Sequence, residues 1–450
     1  MLTRLIAILM LSPLAWGQAL EQGKRAFDAG NYAEAARLFE KAHQETRRCD
    51  ILFFLGLARY RMAQIDPALI AFQAAAKCDP KLVPAHLALA EAYLERRNEG
   101  GAIEALLQVL SVEPGNKDAL RGTASIYLRN QLNEKALPLL EKLITVESKD
   151  LQARVDLGAA YAATGDRDKA EEQFQESLRL KPDHPSALMG LGNLYLKKGE
   201  EERAIALLQK TIAIVPGAFE PRFLLGSAYN RLGRYEEAIS ELQRALRLGG
   251  EDSAEIYYHL ARAYGGAGRQ EDRRQALSRF AELTQKSKQS TEDHRRALRL
   301  VEQAKKLVDS GDLLAAAGKM EEARELRPSD GSILFRLGSL YYDLGRYDRA
   351  RNYVQEALSL APSEWLTHHL LGLVELRSGQ WKQARESLEI AVKLNPSASE
   401  SYNALGEVAL RQRNPTLAIE SFKRATELDP QQQTYRLNLA AAQRAAGRAR

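Results

Sequence analysis

Cysteine is nearly absent: 450 residues contain two, with only five methionines and three tryptophans. At most one internal disulfide can form. An excess of one charge is missing too. The 64 lysines and arginines face 59 aspartates and glutamates, a formal net charge of +5 with both signs interspersed. That balance leaves no electrostatic footprint for nucleic acid or for a membrane surface. Aromatic residues are 7% of the chain, too few for a platform that stacks single strands. No glycine-rich phosphate loop opens a helix, and no nucleophile elbow occurs. The histidines are scattered except for His368 and His369, which would point about 100° apart on a helix and cannot chelate from one face. No catalytic residue, metal site or cofactor is expected, and the chain reads as a non-enzyme.

What is present starts at the N-terminus. Arg4 precedes a mostly apolar run from Leu5 to Leu14, interrupted by Ser12 and Pro13, with small residues Ala15, Gly17 and Ala19 following. The run is about 10 residues, short of the ~20 that span a bilayer. Residues 1–17 read as a secretory signal peptide cut after Gly17 or Ala19, and the mature chain as periplasmic or secreted. An uncleaved anchor is the other reading. No cysteine follows the run, so a lipid anchor is not expected.

The rest repeats. Prolines fall at Pro80, Pro114, Pro182, Pro216, Pro328, Pro362, Pro396 and Pro430, mostly 34 residues apart, with Ser148 and Gly250 taking missing places. Take this proline as position 32. Positions 7, 8 and 11 then read Leu157, Gly158 and Tyr161; Leu191, Gly192 and Tyr195; Leu225, Gly226 and Tyr229; Leu337, Gly338 and Tyr341. Position 20 reads Ala170, Ala204, Ala238 and Ala350, and position 24 Phe174, Leu208 and Leu242. Leu260, Ala261 and Tyr264 fit after a slip of one residue near Gly250.

The physics is local. Positions 4, 7, 8 and 11 share one face of a first helix, and 20, 24 and 27 one face of a second. Large residues fill the space between them, and glycine or alanine lets the backbones approach. Glycine at 15 with an aromatic at 17 marks the turn, as in Gly30–Tyr32, Gly233–Tyr235, Gly345–Tyr347 and Gly379–Trp381. Asn116, Asp183 and Ser397 are expected to cap the helices that follow, Ser397 with Glu400 as a capping box. The acid pairs Glu171–Glu172 and Glu236–Glu237 suit the positive end of a second helix better than paired-carboxylate catalysis.

This pattern closely resembles the tetratricopeptide repeat family over nearly all of the mature chain. The resemblance implies an all-α, right-handed superhelical solenoid of tandem helix hairpins. No hairpin buries its apolar face alone, so they must stack. The frame gives about eight repeats in 18–285, a polar insertion or joint at 286–296, about four repeats in 297–432 and a capping helix at 433–450. The insertion is either a joint between two solenoids or a long loop within one stack. Cys49 and Cys78, at positions 1 and 30 of one pair, are a disulfide candidate in an oxidising compartment; two separate thiols are the alternative.

In the family, positions 2, 5, 9 and 12 of the first helices line a concave groove. Carried over, they give Phe53, Leu57, Tyr60, Leu87 and Leu94; then Arg121, Met189, Asn193, Phe223, Asn230, Tyr258 and Arg262; then Phe335, Ser339, Tyr342, His369 and Asn403. Each either faces a peptide or packs between repeats. The carboxylate clamp of some members is not matched, since Arg121 at 5 is followed by Ser125 at 9 and Asp156 at 6. The resemblance implies an exported scaffold or adaptor for protein segments, in envelope assembly or secretion. A component of polysaccharide export or glycan handling, and a non-catalytic subunit of a separate enzyme, are the other readings. A protein or peptide partner is expected, with no nucleic acid and no stable membrane insertion after leader cleavage.

Overall fold

The structure is a computed structural model that describes residues 18–448; the signal peptide expected at 1–17 lies outside the described residues. These residues hold twenty-four α-helices and no strand. Two compact units divide at Lys288 and Gln289, the first holding 18–57 and 69–288, the second 58–68 and 289–448.

The first unit contains eight hairpins, apart from the 58–68 turn of the second: α1 (Gln18–Asp28) with α2 (Tyr32–Thr46), α3 (Cys49–Arg61) with α4 (Ile65–Cys78), α5 (Val83–Glu95) with α6 (Glu99–Val112), and α7 (Lys117–Arg129) with α8 (Asn133–Val146). They continue with α9 (Leu151–Thr164) and α10 (Arg167–Leu180), α11 (Pro185–Lys198) and α12 (Glu201–Ile214), α13 (Glu220–Arg231) and α14 (Tyr235–Ala245), then α15 (Ala254–Gly266) and the start of α16 (Gln270–Asp309). In the second unit the end of α16 pairs with α17 (Leu313–Leu326). Three hairpins follow: α18 (Gly331–Asp343) with α19 (Tyr347–Leu360), α20 (Trp365–Arg377) with α21 (Trp381–Leu394), and α22 (Ser399–Arg411) with α23 (Pro415–Leu428). A last helix, α24 (Gln433–Arg448), packs on α23.

One rule closes the hairpins. The position-24 side chain lies over position 8, and a Cβ on Gly158 would come within 2.8 Å of Phe174, one on Gly226 within 2.6 Å of Leu242. Only glycine or a small residue fits there. Position 20 is alanine with no exposed surface, as at Ala170, Ala204, Ala238 and Ala350. Tyrosine at 11 joins successive repeats: its hydroxyl donates to Glu321 from Tyr341 (2.9 Å) and accepts from Gln209 at Tyr229 and Gln243 at Tyr264 (3.0 and 2.9 Å). The same rings carry cations from their own hairpin, Arg203 lying 3.9 Å from the Tyr195 centroid. Burial and the Glu141 carboxylate beside it push the Tyr161 hydroxyl up to about 12.

Position 15 is left-handed in twelve hairpins. Eight use glycine, and Ala63, Arg97, Gln131 and Arg413 hold it at φ 54–58°. Leu246–Gly250, with Gly249 at φ 106°, absorbs the extra residue at the frame slip. Asn116 caps α7 as expected, accepting from the Ala119 N–H at 3.0 Å. Two cap expectations fail by one residue. His184, not Asp183, caps α11, and Ala398 precedes α22 with no side-chain bond, so the Ser397–Glu400 box does not form. Residues 286–296 are not a loop: they lie within α16. No glycine or proline occurs from 269 to 310, and Gln289 donates to Asp293 at 2.8 Å along the helix. Polarity there marks exposure to solvent.

The Cys49 and Cys78 sulfurs are bonded, with Cα atoms 5.5 Å apart. The bond ties the start of α3 to the end of α4, where antiparallel helices bring their ends together.

Candidate protein-binding groove

The groove positions divide into buried and open ones. Phe53 and Leu57 are 0% and 1% exposed, and Leu87 is buried. The Phe53 ring packs between Phe54 and Phe72. Asn230 is also buried, its side-chain amide donating to the His259 carbonyl at 2.8 Å. All four are buried, which corrects their placement on an open binding face.

Others are half-buried and engaged. Arg121 donates to Glu147 at 2.8 Å and to Asp150 at 2.5 Å, which fixes its guanidinium on the turn between α8 and α9. Asp150 in turn caps α9 through the Ala153 N–H. His369 shares a hydrogen bond with the Ser401 hydroxyl at 2.9 Å, and burial holds its imidazole below the usual range. His368 bonds the Pro362 carbonyl. Asn403 accepts from Asn438 at 2.8 Å and donates to Glu407 at 3.2 Å. Tyr60, Met189, Asn193 and Phe223 are half-buried, Met189 and Phe223 against the core of the first unit.

Of the positions that remain, Phe335, Ser339, Tyr258 and Arg262 line three cavities. In the second unit, Phe335 stands between a cavity of about 400 Å³ and one of about 320 Å³. Ser339 joins it in the larger cavity, and Tyr342 lies nearby on α18. The facing wall is Val301, Lys305 and Val308 of α16, at positions 5, 9 and 12 of a repeat without aromatic residues. Those three were missed, although the same spacing rule applied to 297–330 points at them. Asp343 closes one end, and burial pushes its carboxyl up. The arrangement offers an apolar centre with Lys305, Arg336 and Asp343 at its edge, suited to a side chain of an extended segment. In the first unit, Tyr258 and Arg262 line a separate cavity.

Among the described residues no cluster of metal-ligating side chains occurs, and no helix is long and apolar enough to cross a membrane.

A stack of such hairpins defines the class: an all-α solenoid whose open faces hold other polypeptides. Residues 87–150, 223–288, 301–364, 369–433 and 408–449 match the tetratricopeptide repeat family, more than half of the sequence, and the chain belongs to that family. Residues 120–249 also match the middle tetratricopeptide-like domain of cilia and flagella-associated protein 70. No curated protein matches the chain. Among solved structures, MamA is 26% identical, over 38% of this chain and 94% of its own, with a TM-score of 0.35. YrrB, described as a tetratricopeptide protein with an unusual peptide-binding site, is 22% identical over 41% of this chain and 96% of its own, TM-score 0.39. A tetratricopeptide repeat protein from Parabacteroides merdae is 20% identical over 55% and 97%, TM-score 0.38.

Proposed function

We propose that the chain is an exported scaffold that holds an extended polypeptide segment in the groove centred on Phe335, in envelope assembly or secretion. The observation that carries this is the pair of cavities flanking one half-buried aromatic ring, in a family of protein-binding scaffolds. Export is supported by the leader pattern in residues 1–17 and by the Cys49–Cys78 bond, since disulfides persist in oxidising compartments. Cleavage after Gly17 is favoured over cleavage after Ala19, because Ala19 is itself buried in α1.

Photocrosslinking in cells tests this reading. A crosslinker at position 335 should capture a small set of exported polypeptides that one at Asp348, an exposed position on the next helix, does not. Identical capture profiles would remove the groove part, and recovery of the chain from the cytoplasmic fraction alone would remove the export part.

A further inference from the structure

The eighth hairpin breaks the rule that closes the other eleven. Position 20 is a fully buried alanine in each of them, from Ala35 to Ala418. Here it is Arg273, and it is exposed. Position 24 is at most 2% exposed in those eleven, from Phe39 to Phe422. Leu277 is 40% exposed. Alanine at position 8 is not the cause. Ala90, Ala124 and Ala304 occupy it in hairpins whose position-24 residues, Leu106, Leu140 and Met320, are buried. A guanidinium does not enter a dry seam without a counter-charge. The α16 helix instead buries Ala276 and sets Phe280 against Tyr258, ring centroids 5.8 Å apart.

The seam therefore stands open as a cavity of about 340 Å³, walled by Tyr258, Ala261, Arg262 and Gly265 of α15 and by Arg273 and Leu277 of α16. Gly265 makes the room: a Cβ there would meet the Arg273 Cδ at 3.2 Å. Among the described residues neither Arg262 nor Arg273 has an ion-pair partner. The acids at the start of α16 are committed elsewhere, Asp272 to Arg269 at 2.8 Å and Glu271 to Arg274. The apolar half of the cavity is also open to solvent, Tyr258 being 50% exposed.

We propose that this open seam is a second docking site, which takes an acidic polypeptide segment carrying a bulky apolar side chain beside its carboxylate. The charge complement is set by the two unpaired guanidiniums, and the apolar one by Tyr258 and Leu277. The inference rests on reading the chain as a polypeptide binder and is independent of the Phe335 groove.

Fluorescence anisotropy with the mature chain tests it, using a labelled, amidated peptide that alternates glutamate with phenylalanine and leucine. Binding is expected, and Arg262→Ala and Arg273→Ala should each weaken it about tenfold or more, with helicity unchanged by circular dichroism. Replacing glutamate by glutamine in the peptide should have the same effect, while Phe335→Ala should have none. The inference is overturned if the wild type does not bind the peptide. It is also overturned if heparin binds there and the peptide does not, or if both arginine variants bind as the wild type does. Loss in Phe335→Ala alone would place the peptide in the other groove and leave the proposed function standing.

Discussion

The seventh and eighth hairpins of the first unit share a frame and differ in outcome. In α13–α14, Gly226, Ala238 and Leu242 meet, and the two buried side chains have no exposed surface. In α15–α16 the same places hold Ala261, Arg273 and Leu277, and the seam opens into a cavity. Where arginine stands at position 20, the joint is a surface with two guanidiniums, Arg262 and Arg273, that have no ion-pair partner among the described residues. The fold tolerates this because each hairpin contacts mainly its neighbours, so a local opening need not spread.

The comparison can be broken most strongly by copying the arginine into the closed hairpin. Ala238→Arg would bury an unpaired charge and should cost about 3–5 kcal/mol, read as a large fall in the urea midpoint. The next test removes the position-24 residue from both. Leu242→Ala should cost about 2–5 kcal/mol as a buried large-to-small change. Leu277→Ala, half open to water, should cost less than about 1 kcal/mol. Equal losses would mean that the eighth seam is closed in solution.

Smaller effects sharpen the picture. Gly226→Ala places a Cβ 2.6 Å from Leu242 and should cost about 1–3 kcal/mol through overpacking. The turns should behave alike in both hairpins, because Gly233 and Gly268 are both left-handed. Alanine at either should cost about 1 kcal/mol, and Gln131→Gly should gain a similar amount by relieving a left-handed side-chain residue. The smallest effect is in pH dependence. A hydrogen bond from Lys198, 2.5 Å away, holds the Glu171 carboxyl below the usual range. A depressed carboxylate stabilises the fold above its unfolded value of about 4.5, and that contribution is lost as pH falls through the folded value. Glu171→Gln should flatten the acid limb of the thermal-stability profile, with little change in slope above pH 6.

The repeat was legible because each hairpin meets the same local constraints: a small residue at 8, alanine at 20, a left-handed turn at 15. The site was legible only in part. Carrying over the family's groove positions points to Phe335, Ser339, Tyr258 and Arg262, which line cavities. Phe53, Leu57, Leu87 and Asn230 hold the same positions but are buried, which periodicity within one helix does not record. Arg273 was missed for a different reason. The frame was carried through α15 but not into α16, a helix without glycine or proline over 270–309. Asking which residue stands at position 20 would have exposed the arginine.

Thiol reactivity at position 24 tests the account most directly. Cys49 and Cys78 are paired, and no free cysteine occurs among the described residues, so one engineered thiol reports alone. Under native, non-reducing conditions Leu277→Cys should react with a maleimide near the rate of an exposed thiol, and Leu242→Cys should be protected by orders of magnitude. Comparable protection at both positions would show that arginine at position 20 does not open the seam.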